Sequence, residues 1–292
     1  MATIYGLSAV ILWGMLALLG TVTVEIPAFQ LLSLCFCISA LIIVIKRIIS
    51  RKAVFKKPSL TVNQWLFGTA GLFGFHFCYF MAMKYAPAIE VSLIVYIWPL
   101  LLAVFVATKQ SLLKALSGGC AGFIGISFII IGNGDFSLDY NYLTGYLLAA
   151  ACALIWSSYS WYLSKSNNDV EDIAWLSVAV ALLSFLAHLQ LEPSSWDFTL
   201  SQWAGIILLG LGPVGGSFYL WDIGLKHGNK QLLASLSFSA PLISSFALYA
   251  AGLNTWSFNI TAAVGLILSG ALITNMKGKQ NLKVLNQHKQ SK

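Results

Sequence analysis

The chain has 292 residues, of which 58% are hydrophobic and only 9% are charged, and its mean hydropathy is +0.80. Soluble globular proteins carry about 25% charged residues, so this composition excludes a protein surrounded by water on all sides. The formal net charge is +7. Because the basic residues gather at the ends of long apolar stretches, the charge indicates membrane orientation and excludes nucleic acid as a partner.

Long apolar stretches run from one end of the chain to the other. A helix needs about 20 mostly apolar residues to cross the hydrocarbon core of a bilayer. Backbone polar groups in lipid must be paired within their own segment, so helices are expected and strands are not. The predicted spans are residues 3–22, 27–49, 62–83, 88–107, 114–131, 143–163, 170–190, 202–222, 230–250 and 257–275. We therefore expect an all-α membrane protein with ten transmembrane helices.

The second five spans repeat features of the first five at nearly the same offset. The matched pairs are Trp13 and Trp156, Lys84 and Lys226, and Pro99 and Pro241. Since five is an odd number, a second five-span copy enters the bilayer in the opposite direction. We predict two inverted repeats around a central cavity, at residues 1–134 and 140–275, followed by a basic cytoplasmic tail at residues 276–292.

The distribution of basic residues predicts the orientation of the chain. If the N-terminus is cytoplasmic, the basic residues between positions 46 and 57 fall inside, as do those of the C-terminal tail. Lys84 is the exception and falls outside. An excess of Lys and Arg in cytoplasmic loops is the usual pattern of membrane proteins. We expect both termini to be cytoplasmic.

Three prolines within the spans predict interrupted helices. Pro99 and Pro241 stand near the middle of the fourth and ninth spans, where proline removes a backbone hydrogen bond. Pro213 lies in the eighth span among four glycines between positions 210 and 216, which favours a bent or partly unwound segment. Static kinks filled by neighbouring side chains and functional hinges both remain open as explanations.

Aromatic side chains, most of them with a polar atom, lie deep inside several spans. Lipid favours plain aliphatic side chains, so these residues are expected to point toward the protein interior. The candidate substrate-binding residues are Trp13, His76, Tyr79, Phe80, Tyr96, Trp98, Trp156, Tyr159, Trp221 and Phe238. Ordinary helix packing is the alternative role for such residues.

An aromatic site suits a particular class of ligand. Ring stacking contributes about 0.5–1.5 kcal/mol beyond area burial, and an ammonium over a ring face contributes about 0.5–2 kcal/mol. A zwitterion with an apolar or aromatic side chain, such as an amino acid, uses both interactions. A nucleotide sugar would require buried Arg or Lys at mid-span, and the sequence has neither there.

Neither catalytic nor cofactor-binding motifs are present. The sequence lacks G-x-S-x-G, H-E-x-x-H and Walker patterns, so we predict no enzyme activity, no catalytic residues, no cofactor and no metal site. Asp222 and Lys226 are spaced for an ion pair within one helix. His76 is the one deep group that titrates near neutral pH, so proton coupling is expected to be weak or absent.

Several sequence blocks together resemble a known family. They are Ala88–Val91, Tyr96–Pro99, Ile155-Trp156, Trp221–Gly224, His227–Asn229, Ser237-Phe238 and Pro241–Ser245. The chain resembles the drug/metabolite transporter superfamily with two EamA-type repeats, and within it the aromatic amino acid exporters. The chain departs from the family pattern at two positions. Where that pattern can have a side-chain amide, this sequence has Val95 and Asp222, so the substrate range stays open.

The resemblance implies an exporter of aromatic and other apolar amino acids in the bacterial inner membrane. It places Tyr96, Trp98, Trp156, Trp221 and Phe238 at a central cavity. Our main interpretation is a non-enzymatic transporter that works by alternating access on a small-molecule substrate, with the lipid bilayer as its surroundings and a monomer as the simplest assembly. The alternatives are a transporter of other metabolites or drugs in the same superfamily, and a membrane enzyme or structural subunit.

Overall fold

A computed structural model describes residues 1–131 and 138–275, and the regular secondary structure in these ranges is entirely helical. The helices are α1 (Ala2–Gly14), α2 (Leu16–Gly20), α3 (Ala28–Ile49), α4 (Val62–Tyr85), α5 (Ala88–Val95), α6 (Trp98–Val106), α7 (Leu112–Ile131), α8 (Leu143–Leu163), α9 (Ile173–Leu191), α10 (Leu200–Leu211), α11 (Gly216–His227), α12 (Lys230–Leu236), α13 (Ala240–Ala250) and α14 (Phe258–Asn275). The predicted tail at 276–292 and the predicted boundary between the repeats lie outside the described residues.

Nine helical stretches of the described chain are long and apolar enough to cross a membrane, and α14 is a shorter apolar helix. These nine stretches and α14 match the ten predicted stretches in order, and they are numbered here as spans 1 to 10. Spans 1, 4, 8 and 9 each contain two helices, namely α1–α2, α5–α6, α10–α11 and α12–α13. Span 8 ends at His227 and not at the predicted residue 222, so Asp222 lies within the span.

Spans 4 and 9 are interrupted just before their prolines, as the sequence predicts. Helix α5 ends at Val95 and α6 begins at Trp98, with Pro99 in its first turn. Helix α13 begins at Ala240, with Pro241 in its first turn, after a short 3₁₀ turn. Proline is tolerated in a first turn because its missing N–H has no partner there. Each proline therefore starts a new helix within its span.

The predicted irregular segment of span 8 is present between Leu211 and Gly216. The N–H of Ser217 donates to the carbonyl of Gly212 at 2.8 Å, one residue further back than in an α-helix. The Ser217 hydroxyl donates to the carbonyl of Pro213 at 2.7 Å. Backbone and side-chain bonds thus satisfy carbonyls that the interruption frees within the membrane region.

Span 1 has an interruption that we did not predict, at Met15 between α1 and α2. The preceding Gly14 lies directly against span 9, where a Cβ would be 2.5 Å from the Ile243 side chain and 3.1 Å from the Ala240 carbonyl oxygen. A glycine is required at this crossing because the two backbones approach too closely for a side chain.

Helices α3 and α9 are antiparallel neighbours. The Phe29 N–H at the start of α3 donates to Glu192, which follows α9, at 3.0 Å. At the opposite end, Arg47 near the end of α3 pairs with Glu171, which precedes α9, at 2.6 Å. These two contacts fix the relative direction of spans 2 and 7.

Helices α7 and α14 are also antiparallel and pack through small residues. A Cβ at Gly118 would collide with Thr274 and the Gly270 carbonyl, near the end of α14. A Cβ at Gly125 would lie 3.2 Å from the carbonyl of Ala263, near the start of α14. Small residues allow such close backbone packing in membranes. Spans 5 and 10 therefore form one tight pair at the side of the bundle.

The centre of the bundle is formed by two further pairs, α1 with α11 and α4 with α8. Helix α6 packs on α8 and α12, so both interrupted spans 4 and 9 reach this region. The largest core cluster of buried residues lies where these helices meet.

Candidate functional site

Four tryptophans from four different spans contact one another in this core, and we call them the Trp cluster. Trp13 lies in α1, Trp98 is the first residue of α6, Trp156 lies in α8 and Trp221 lies in α11. Their ring centroids are separated by 5.0 Å for Trp13–Trp221 and by up to 6.2 Å for Trp98–Trp156, in edge-to-face arrangements. Such geometry is favourable because the positive ring edge meets the negative ring face.

Two of the indole N–H groups are held by serines of facing helices. Trp13 Nε1 donates to Ser217 Oγ at 3.0 Å, and Trp221 Nε1 donates to Ser160 Oγ at 3.1 Å. Within the described part of the chain, the indole N–H groups of Trp98 and Trp156 have no hydrogen-bond partner. These two donors are therefore available to another molecule.

Further aromatic rings surround the Trp cluster. Phe75 and Tyr159 contact Trp156, with centroid distances of 5.1 and 5.5 Å. His76 lies against Phe218 at 6.1 Å, and its Nδ1 is 2.7 Å from the carbonyl of Leu72. The predicted site residues that the structure brings together at this place are Trp13, His76, Tyr79, Phe80, Trp98, Trp156, Tyr159 and Trp221.

Phe238 was predicted for the same site but lies in a second cluster, packed with Ile126 and Ile267 of spans 5 and 10. Tyr96 packs against this second cluster and also lies within electrostatic range of Tyr79. Tyr96 is therefore a neighbour of both groups of residues.

The rings of the Trp cluster are in mutual contact, and Trp98, Trp156 and Trp221 are 6%, 3% and 0% exposed. Beside them, Trp13, His76 and Tyr79 are partly exposed. The central cavity therefore stays a prediction.

A cavity of about 320 Å³ lies to one side of the Trp cluster, between spans 1, 2 and 8. It is mainly apolar, and Leu12, Ile42, Tyr219 and Ile223 contribute to its wall. Lys46, whose side chain is 52% exposed, stands at its edge. This cavity lies against the irregular segment of span 8 and does not contain the predicted site residues.

Asp222 and Lys226 form the ion pair that their spacing predicts, with Oδ1 and Nζ 2.8 Å apart. Both side chains are buried. Lys226 also donates to the carbonyl and the side-chain oxygen of Asn168, at 2.8 and 3.1 Å. The pair is adjacent in sequence to the Trp cluster, because Trp221 immediately precedes Asp222.

Charged residues at the end of span 2 join the two halves of the chain. Arg47 and Lys46 pair with Glu171 at 2.6 and 3.0 Å. Lys56 pairs with Asp169, and this hydrogen bond raises the pKa of the Lys56 ammonium. Partial burial raises the pKa of the Asp169 carboxyl, but hydrogen bonds from the Glu171 N–H and Lys56 outweigh it, so the net pKa is lowered. We call these residues the inner network, because the basic residues predict a cytoplasmic position.

A different set of contacts closes the opposite end of spans 2 and 7. Glu192 accepts hydrogen bonds from the N–H groups of Phe29 and Gln30 at the start of α3, at 3.0 and 3.3 Å. The buried His188 ring places Nδ1 3.0 Å from Glu192 and Nε2 2.8 Å from Ser194. A carboxylate is favoured at a helix N-terminus by the helix dipole and the free N–H groups. The sequence contained no local signal for this contact, since the partners are more than 160 positions apart.

The comparisons with known proteins agree with this architecture. A model of the EamA-like transporter family matches residues 143–276. The aromatic amino acid exporter YddG of Ancylobacter novellus is 37% identical and covers 96% of this chain and 98% of its own length. The YddG exporters of Salmonella typhimurium and Escherichia coli are each 24% identical, over 93% of this chain. One crystal structure matches with a TM-score of 0.84 and 36% identity, covering 94% of this chain and 96% of that one.

An all-helical fold with many membrane-spanning segments and a buried aromatic centre, together with these relatives, defines a multi-pass membrane transporter and not an enzyme. The chain belongs to the EamA-like transporter family of the drug/metabolite transporter superfamily. The family resemblance in its sequence blocks is thereby confirmed.

Proposed function

We propose that this protein exports aromatic and other apolar amino acids by alternating access, with the Trp cluster as the substrate site. The observation that carries the proposal is the contact of Trp13, Trp98, Trp156 and Trp221 from four spans at the centre of the bundle. Relatives that cover nearly the whole chain are named aromatic amino acid exporters.

The chemistry of the Trp cluster fits such a substrate. When an aromatic side chain of the substrate enters between the rings, contacts between tryptophans are replaced by contacts between tryptophan and substrate. Each such ring pair contributes about 0.5–1.5 kcal/mol. The unpartnered N–H groups of Trp98 and Trp156 provide donors for a carboxylate. An ammonium group gains from the indole faces. A zwitterionic amino acid uses all three interactions.

The proposed fold is ten helices in two inverted repeats, at residues 1–134 and 140–275. Corresponding spans 2 and 7 are antiparallel neighbours, and so are corresponding spans 5 and 10. This arrangement is what a two-fold axis in the membrane plane produces. The pairing of span 1 with span 8 and of span 6 with span 3 supports the same symmetry.

A pair of corresponding contacts supports the repeat in detail. Ser157 Oγ lies 3.0 Å from the carbonyl of Trp98, and a Cβ on Gly14 would lie 3.1 Å from the carbonyl of Ala240. Ser157 and Gly14 each follow a matched tryptophan, and the two carbonyls each precede a matched proline. The two crossings therefore correspond residue by residue.

Alternating access requires the two ends of the bundle to open in turn around the substrate site. The rings of the Trp cluster are in mutual contact, and contacts between spans 2 and 7 hold both ends. We assign the hinges to Pro99, Pro241 and Pro213, because helices are already interrupted at these places. Small changes in backbone angle there move whole half-helices.

Transport is proposed to follow the substrate gradient, with weak or no proton coupling. His76 is held by its own helix through the Leu72 carbonyl and faces aromatic rings. We propose the bacterial inner membrane as the location of the protein, in line with its exporter relatives. The distribution of basic residues supports a cytoplasmic position for both termini. A monomer is sufficient for this mechanism.

The proposal is tested by efflux of labelled phenylalanine from proteoliposomes that contain the purified protein. Trp98→Ala and Trp156→Ala are each expected to weaken the apparent affinity for phenylalanine about two- to tenfold. This factor corresponds to the loss of one contact between aromatic rings. Trp203→Ala is the matched control, because Trp203 is 41% exposed and lies near the start of span 8. Equal kinetics in all three variants, or no amino acid transport by the wild type, would contradict the proposal.

A further inference from the structure

Asp222 is a buried carboxylate whose hydrogen-bonding capacity is only partly used. The residue is 0% exposed. Lys226 approaches Oδ1 at 2.8 Å as an ion pair, but neither carboxylate oxygen accepts an aligned hydrogen bond from the described residues. A buried carboxylate that lacks hydrogen-bond donors is unfavourable. We therefore expect another donor to bind Asp222 at some stage of function.

Lys226 does not depend on Asp222 for its own partners. Its Nζ donates to the carbonyl oxygen and to Oδ1 of Asn168 at 2.8 and 3.1 Å. An ammonium has three donors, so these two bonds hold Lys226 in place when the third contact is lost. A different cation is therefore able to pair with Asp222 while Lys226 stays bound to Asn168.

The position of Asp222 connects it with the substrate path. Trp221, the preceding residue, belongs to the Trp cluster, and Tyr159, which contacts Trp156, lies within electrostatic range of the carboxylate. Helix α11 continues from Asp222 toward His227 and the basic end of the span. Asp222 therefore lies on the side of Trp221 that is nearer the basic end of the span, for which we propose a cytoplasmic position.

We propose that Asp222 binds the ammonium group of the substrate, in exchange for Lys226, when the inner end of the transporter opens. This inference rests on the proposed function and adds a recognition group to it. The rings select the apolar side chain, and the carboxylate selects molecules that carry a positively charged nitrogen. An exporter with this feature distinguishes amino acids from carboxylic acids with the same side chain.

The first experiment uses the wild-type protein in detergent and measures displacement of labelled phenylalanine. Two competitors have the same ring, but phenethylamine keeps only the ammonium and 3-phenylpropionate keeps only the carboxylate. Phenethylamine is expected to compete about tenfold better, which corresponds to about 1.4 kcal/mol. Equal competition, or stronger competition by 3-phenylpropionate, overturns the inference.

The second experiment compares variants in the same assay. Asp222→Asn, and Asp222→Asn combined with Lys226→Gln, are expected to lose phenethylamine competition and to keep competition by 3-phenylpropionate. Asp197→Asn is the control, because it removes an exposed carboxylate from the segment between spans 7 and 8. Unchanged preference for phenethylamine in the neutral variants overturns the inference. If they do not fold, the wild-type competitor ranking decides alone.

The outcome also separates this inference from the proposed function. If the wild type binds and transports phenylalanine but does not prefer phenethylamine, the exporter assignment holds and the role of Asp222 is wrong. If the wild type does not bind phenylalanine at all, both proposals are wrong.

Discussion

Ser157 Oγ of span 6 lies 3.0 Å from the backbone carbonyl of Trp98, at the point where span 4 is interrupted, and 2.6 Å from the Ala153 carbonyl of its own helix, so its hydroxyl is shared between the two acceptors. Trp98 begins α6 and Pro99 is its second residue, so this contact joins the interruption of one half to an unbroken helix of the other. The bond fixes the position of Trp98 within the Trp cluster, because Trp98 is the first residue of α6. It also couples any movement at Pro99 to span 6.

Replacing Ser157 by alanine is expected to destabilise the protein by about 0.5–1.5 kcal/mol, the usual contribution of one buried hydrogen bond. The same change is expected to slow phenylalanine transport, because Trp98 loses its fixed position. Thermal unfolding in detergent and proteoliposome flux measure the two effects. The control is Ser127→Ala, since Ser127 bonds only to the Phe123 carbonyl of its own helix. Equal behaviour of the two variants would show that the Ser157 contact has no special role.

Trp13 and Ser217 are expected to act as a unit. Trp13→Phe keeps an aromatic ring but removes the N–H that donates to Ser217, and Ser217→Ala removes the acceptor. A double-mutant cycle on thermal stability should give a coupling energy of about 0.5–1.5 kcal/mol. Strictly additive effects would mean that the bond does not contribute to the packing of the Trp cluster.

Gly118 is expected to tolerate no side chain. A Cβ there collides with Thr274 and the backbone of Gly270, so Gly118→Ala should destabilise the pair of spans 5 and 10 by about 1–3 kcal/mol. Gly265→Ala on α14 is the matched control, because a Cβ there has no described atom within 4 Å. It should be neutral or stabilising by up to about 1 kcal/mol. Thermal unfolding of both variants checks the contrast, and an equal loss in both would contradict the close packing.

Glu171→Gln is expected to loosen the inner end of the bundle. Arg47, whose side chain is only 12% exposed, loses its charged partner, and Lys46 is also released. Hydrogen–deuterium exchange should then increase in residues 50–60 and 164–172. Asp197→Asn, in the exposed segment between spans 7 and 8, is the control and should leave these segments unchanged. Exchange that stays at the wild-type level in Glu171→Gln would argue against the inner network as a closing contact.

Collapse of the pH gradient is expected to leave phenylalanine efflux unchanged as long as the substrate gradient is kept. The reason is that His76 is bound to its own helix and surrounded by rings, without a carboxylate partner among the described residues. Proteoliposomes with an ionophore, compared with untreated ones, provide the measurement. Efflux that stops with the ionophore would mean that transport is coupled to protons.

Local features of the structure followed well from sequence. The interruptions at Pro99, at Pro241 and in the segment around Pro213 occur where the residues predict them, because proline and glycine alter the backbone at their own position. The pair of Asp222 and Lys226 was equally predictable from its i,i+4 spacing. The interruption at Met15 was missed, since its neighbour Gly14 acts through a contact with span 9 that lies far away in sequence.

The sequence by itself determined the membrane-spanning helices, their order and the residues that avoid lipid, because hydropathy and helix geometry act over about 20 residues. Only the tertiary structure decided that the four tryptophans touch each other, that Phe238 lies in a second cluster, and that Glu192 binds the start of α3. Those outcomes depend on how helices rotate and approach one another. That packing is set by contacts between residues tens to hundreds of positions apart, and a local sequence pattern contains no information about such contacts.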